Sequence, residues 1–109
     1  MEREVLYTLD VRPDALGHLR WAQVVTLRDN ATGLAPVAGP DGAVVLSYTA
    51  APDAELCDHV LYLVAVGAQV PDVMAADYLG AVATTTAGVL HAWLIPADEE
   101  SLADAARTP

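Results

Sequence analysis

From Tyr78 to Ala97 the chain contains no Asp, Glu, Lys or Arg, an uncharged run inside an otherwise strongly acidic protein. A stretch of about 20 apolar residues either crosses a bilayer as a helix or folds back on itself. Three threonines, Gly80, Gly88, His91 and Pro96 fall inside this one, and they favour folding back. Tyr78-Leu79-Gly80-Ala81-Val82 and Val89-Leu90-His91-Ala92-Trp93-Leu94 flank the connector Thr84-Thr85-Thr86-Ala87-Gly88. The pattern predicts a closing β-hairpin with strands over 78–83 and 89–95. A helix over 72–83 is the alternative, and Gly80 weakens it.

Alternation extends the β reading upstream. Val5, Tyr7, Leu9 and Val11 share one face of a strand over 4–11, with Glu4, Thr8 and Asp10 on the other. Residues 20–28 alternate again, with Trp21, Gln23, Val25 and Leu27 opposite Arg20, Ala22, Val24, Thr26 and Arg28. A helix starting at Asp14 competes for 14–27, but Gly17 and the β-branched run Val24-Val25-Thr26 oppose it. Residues 43–49 predict a third strand. Residues 59–66 are apolar almost throughout, as in a strand covered on both faces. The turn clusters Asp29-Asn30-Ala31-Thr32-Gly33 and Gly39-Pro40-Asp41-Gly42 bracket a stretch expected to be a mobile loop with little regular structure. These elements sum to an all-β fold, a small antiparallel barrel or sandwich of about six strands with a short C-terminal helix or frayed tail. Residues 1–96 are expected to form one domain. In the acidic tail, 97–109, Asp98, Glu99 and Glu100 suit a first helical turn, but Leu102 is its only large apolar anchor, so fraying is expected.

Charge narrows the function classes. Fifteen acidic residues face five basic ones, giving a net charge of −10. Such a chain repels nucleic acid and anionic lipid, whose phosphates need clustered Lys or Arg. Direct nucleic-acid and membrane binding are therefore not expected. Acidic surfaces instead steer association with basic protein surfaces. Mostly small apolar residues, 54% hydrophobic in all, suggest apolar strands in a core or in a subunit interface, and hence a homo-oligomer. Cys57 is the one cysteine, so no internal disulfide forms and a reducing, cytoplasmic setting fits. The N-terminal residues Met1-Glu2-Arg3-Glu4 lack the pattern of a signal peptide.

In its closing block the chain resembles a family of short proteins without an assigned activity that occurs often in phages and prophages. There a glycine turn and a proline precede Tyr-[Ile/Leu]-Gly and an apolar strand ending in His and an aromatic residue. Gly67, Pro71, Tyr78-Leu79-Gly80 and Val89-Leu90-His91-Ala92-Trp93 match that order. Ala68 and Ala81 replace the family's threonines, and Val44-Val45-Leu46-Ser47 lacks its strand tryptophan. The resemblance implies a phage or prophage origin, with a virion-associated location as the alternative to the cytoplasm, and transfers no catalytic residue.

Candidate chemistry is sparse. Cys57-Asp58-His59, joined by His91 if their strands were neighbours, is the densest set of potential ligands, but the paired Cys or His spacing of structural zinc is missing. A Cys57 and His59 nucleophilic pair lacks a third orienting group. Asp98-Glu99-Glu100 lacks the spacing of a calcium loop, and no phosphate-binding glycine loop or nucleophile elbow occurs. No metal, cofactor or catalytic residue is expected. His91 and Trp93 share a strand face with Val89 and Ile95. If that face lined a barrel interior, they could form a small-molecule pocket with Trp21 and His59. The leading expectation is a non-enzymatic, self-associating acidic protein that acts through a basic protein partner. A ligand-binding or isomerase-like small barrel and a structural piece of a larger assembly are the alternatives.

Overall fold

The structure is a computed structural model that describes residues 4–11, 20–68, 77–84 and 88–107. Seven strands form two antiparallel sheets. Strands β1 (Val5–Val11), β4 (Val44–Ala50) and β3 (Thr32–Ala38) make the first, in the order β1-β4-β3. Strands β2 (Arg20–Arg28), β5 (Leu56–Ala65), β7 (Gly88–Pro96) and β6 (Asp77–Thr84) make the second, in the order β2-β5-β7-β6. A nine-residue helix, α1 (Glu99–Arg107), follows.

The sheets stack as a sandwich because each contributes one apolar side to a shared core. Val44, Leu46, Tyr48 and Ala50 come from β4, and Trp21, Val25 and Leu27 from β2. Leu61 and Leu63 on β5 meet Leu90, Ala92 and Leu94 on β7. The continuous apolar run of β5 has the expected cause. Its alternate residues Val60, Tyr62 and Val64 are buried on the outer side in a second cluster with Ala22 and Ile95, against which Ala105 of α1 packs. The described parts of the uncharged run form the paired strands β6 and β7, not a spanning helix. Among the described residues no helix is long and apolar enough to cross a membrane.

Two expectations are corrected. The stretch bracketed by turn clusters contains β3 and a 3-10 turn at Pro40–Gly42. Gly33 at φ 66° and a register shift between Thr32 and Ala35 hide the period of two. Pro36 pairs with Leu46, which an edge strand tolerates because one side of it needs no ladder donor. Nor does the tail fray over its first nine helical residues. Apart from Ala105 its hold is polar, with Leu102 left 43% exposed. The Ser101 backbone N–H donates to Asp98 Oδ1 at 2.7 Å and the Asp98 N–H donates to Ser101 Oγ at 2.9 Å, a reciprocal capping pair. The Ser101 backbone N–H above all, then the Ser101 hydroxyl, holds the Asp98 carboxyl below its ordinary pKa. Farther along, Tyr62 Oη donates to Asp104 Oδ2 at 2.8 Å and Arg20 reaches the same oxygen at 3.4 Å. Burial above all, then the bond to Asp104, pushes the Tyr62 hydroxyl up to about 12. The rival helix from Asp14 gives way to strand over Arg20–Arg28, and the rival helix over 72–83 to strand from Asp77, the earlier part of each lying outside the described residues.

Candidate functional site

The sandwich distributes its carboxylates unevenly. Both short crossings between the sheets, residues 29–31 and 51–55, lie at one end, where β6 begins, β7 finishes and α1 starts. The Asp29 N–H donates to the Glu55 carbonyl at 2.7 Å and ties the two crossings together. Asp29, Asp53, Glu55, Asp58 and Asp77 are gathered there, with Asp98 and Glu99 at the helix start. Of the described basic residues only Arg28 sits at this end. Its guanidinium lies 5.0 Å from the centre of the Tyr7 ring and donates to the Ala54 carbonyl at 3.0 Å. Toward the opposite end lie Asp10, Asp41 in the turn Pro40–Gly42, and Asp104 beside Arg20.

A cavity of about 170 Å³ opens between the sheets at the acidic end. Leu27, Leu34 and Leu94 give it apolar walls, and Asp29, Asp77 and His59 give it polar ones. His59 Nδ1 lies 3.2 Å from the Cys57 carbonyl oxygen, an acceptor, so that nitrogen is the donor and Nε2 is the ring's remaining polar atom. The volume is below the 300–1,000 Å³ or so of ordinary small-molecule sites, so a side-chain-sized occupant fits and a nucleotide does not.

The four residues expected to share a pocket are separated. Trp21 is in the core between the sheets. His59 pairs with Pro96 and faces the cavity at the acidic end. His91 pairs with Val64, and Trp93 with Tyr62, which places both on the outer side of the second sheet rather than inside a barrel. The structure brings only these last two together, and it adds Tyr78. The Tyr78 hydroxyl and His91 Nδ1 are hydrogen-bonded at 2.8 Å, with the ring centres 5.9 Å apart and their planes at 26°, an edge-to-edge arrangement. Trp93 lies 5.0 Å from Tyr78 and 6.2 Å from His91. Strands β5 and β7 are neighbours, as a joint site of Cys57, His59 and His91 would need. However, His59 and His91 project from opposite sides of the sheet, five positions apart in register. No group of three or more His, Cys, Asp or Glu among the described residues is arranged to hold a metal.

Sequence reasoning did not single out Tyr78, Asp29 or Asp77 as site residues. Tyr78 could have been found from its place opposite Trp93 in the hairpin, had the register been known. Asp29 and Asp77 carry no signal beyond turn propensity, because their proximity depends on the stacking of two sheets. No family model, curated protein or solved structure matches this chain.

Proposed function

We propose that this protein is a non-enzymatic interaction domain that presents the acidic end of its sandwich to a Lys- and Arg-rich surface of a protein partner. The observation that carries the reading is the collection of carboxylates at one end of the sandwich, two of which, Asp29 and Asp77, line the cavity there beside Arg28, on a chain of net charge −10. A net negative field concentrated at one end steers and orients a basic partner. Basic surfaces evolved to hold nucleic acid belong to the same class of partner.

Binding to poly-L-lysine across a salt series tests the reading. Asp29→Asn with Asp77→Asn should weaken binding roughly three- to tenfold, as loss of two exposed ion pairs would. Asp10→Asn with Asp41→Asn makes the same change in net charge at the other end and should leave binding nearly intact. Equal weakening by both pairs would reduce the effect to net charge alone and sink the proposal.

A further inference from the structure

The cavity at the acidic end is graded from inside to outside. Of the residues that line it, Leu27 is 0% exposed and Leu94 5%, Leu34 and His59 are half-buried, and Asp29 and Asp77 are exposed. Its deep walls are therefore hydrocarbon, and its mouth carries the charge. Arg28, the cation of the described lining, has its guanidinium over the Tyr7 ring and on the Ala54 carbonyl. Asp53, Glu55 and Asp58 follow on the neighbouring crossing and strand, so the mouth stays net negative. At about 170 Å³ the space slightly exceeds an engineered apolar cavity of about 150 Å³ that takes up benzene. A leucine side chain therefore fits.

We propose, on the basis of the acidic-end reading, that this cavity takes a leucine-sized aliphatic side chain of the partner, set between lysines or arginines that pair with the carboxylates at its mouth. The order of the lining selects this occupant over a lysine or arginine entering tip first. Those side chains are apolar at the stem and charged at the tip. Insertion would carry the charge past Asp29 and Asp77 to Leu27 and Leu94, and both acids of the described lining are at the mouth. The cost of a desolvated charge without a partner outweighs the burial of its stem. An aliphatic side chain meets no such cost. It leaves the carboxylates to its basic neighbours and gives Leu27, Leu34 and Leu94 the contacts that an open cavity lacks. An apolar anchor in a pocket ringed by polar groups is a common form of binding hot spot. Its burial supplies roughly tenfold or more in affinity, beyond what exposed ion pairs give.

Titration of the full chain with capped pentapeptides, followed by NMR, tests the proposal. The peptides are Lys-Lys-Leu-Lys-Lys, Lys-Lys-Ala-Lys-Lys and pentalysine. The leucine peptide should bind roughly tenfold more tightly than the alanine peptide, and more tightly than pentalysine despite its smaller charge. High salt should weaken all of them and keep the leucine-to-alanine ratio, because screening acts on the ion pairs and not on the buried group. Ala31→Leu fills the cavity from its own lining. It should bring the leucine peptide down to the affinity of the alanine peptide and leave pentalysine unaffected. Should that variant fail to fold by circular dichroism, the wild-type peptide series decides. Pentalysine binding as tightly as the leucine peptide overturns the proposal, as does a leucine peptide that does not bind. A leucine-to-alanine ratio below about twofold, or one that folded Ala31→Leu leaves unchanged, does the same. The acidic-end reading then still stands if Asp29→Asn with Asp77→Asn weakens pentalysine binding, and falls if it does not.

Discussion

The two halves of the second sheet's outer side are built alike and finished differently. Tyr62, Trp93 and Tyr78 are aligned across β5, β7 and β6 by direct pairing. Tyr62 lies under α1, 2% exposed, with its hydroxyl donated to Asp104 and the Arg20 guanidinium 5.0 Å from its ring centre. Tyr78 lies in the open, its hydroxyl shared with His91. The same side chain in the same row thus serves as a tertiary anchor in one place and as exposed surface in the other. What separates them is where the helix lands, and the helix lands where an acid and an arginine can bracket a tyrosine. Among the described residues the other half is left open because the helix packs on only two strands, β2 and β5.

The largest expected effect is on the covered half. Tyr62→Ala removes a buried ring from both the sheet and the helix contact and should cost about 3–5 kcal/mol, measured by denaturant unfolding. Asp104→Ala leaves the buried Tyr62 hydroxyl without that acceptor and should cost about 1–3 kcal/mol in the same assay. A smaller effect appears with pH. The native state holds the Tyr62 proton up to about 12, above the ordinary value of 10.0. Its contribution is therefore complete below pH 10 and is lost as pH rises toward 12. Thermal unfolding should show that alkaline loss in the wild type, and Tyr62→Phe should lack it. The smallest effect is the matched change in the open half. Tyr78→Phe should alter stability by no more than about 0.5 kcal/mol. A cost equal to that of Asp104→Ala would show that the two halves are energetically equivalent and break the comparison.

Six of the seven strands were legible from periodicity, because a half-buried strand must alternate and a doubly covered one must stay apolar. β3 was not. Its Gly33, Pro36 and shifted register erase the pattern, and its pairing to β4 supplies the order that local propensity does not. The helix start was readable in Asp98-Glu99-Glu100, but its anchorage was not. Asp104, Arg20 and Tyr62 are far apart along the chain, and reading apolar content alone points to Leu102, which is exposed. For the site, alternation correctly placed His91 and Trp93 on one side of β7. It could not tell which side faces inward, since Leu90, Ala92 and Leu94 make an equally apolar alternative. The compact aliphatic side closed against the other sheet, and the aromatic side was left outward.

By itself the sequence determined the β class, the closing hairpin, the doubly buried centre of β5 and the strong negative charge, each a property of local pattern or composition. Tertiary structure alone decided that the carboxylates collect at one end, that His59 is parted from His91 and Trp93, and that α1 covers half a sheet. These outcomes depend on which faces of the two sheets stack, and a period of two states that faces exist without stating which is buried.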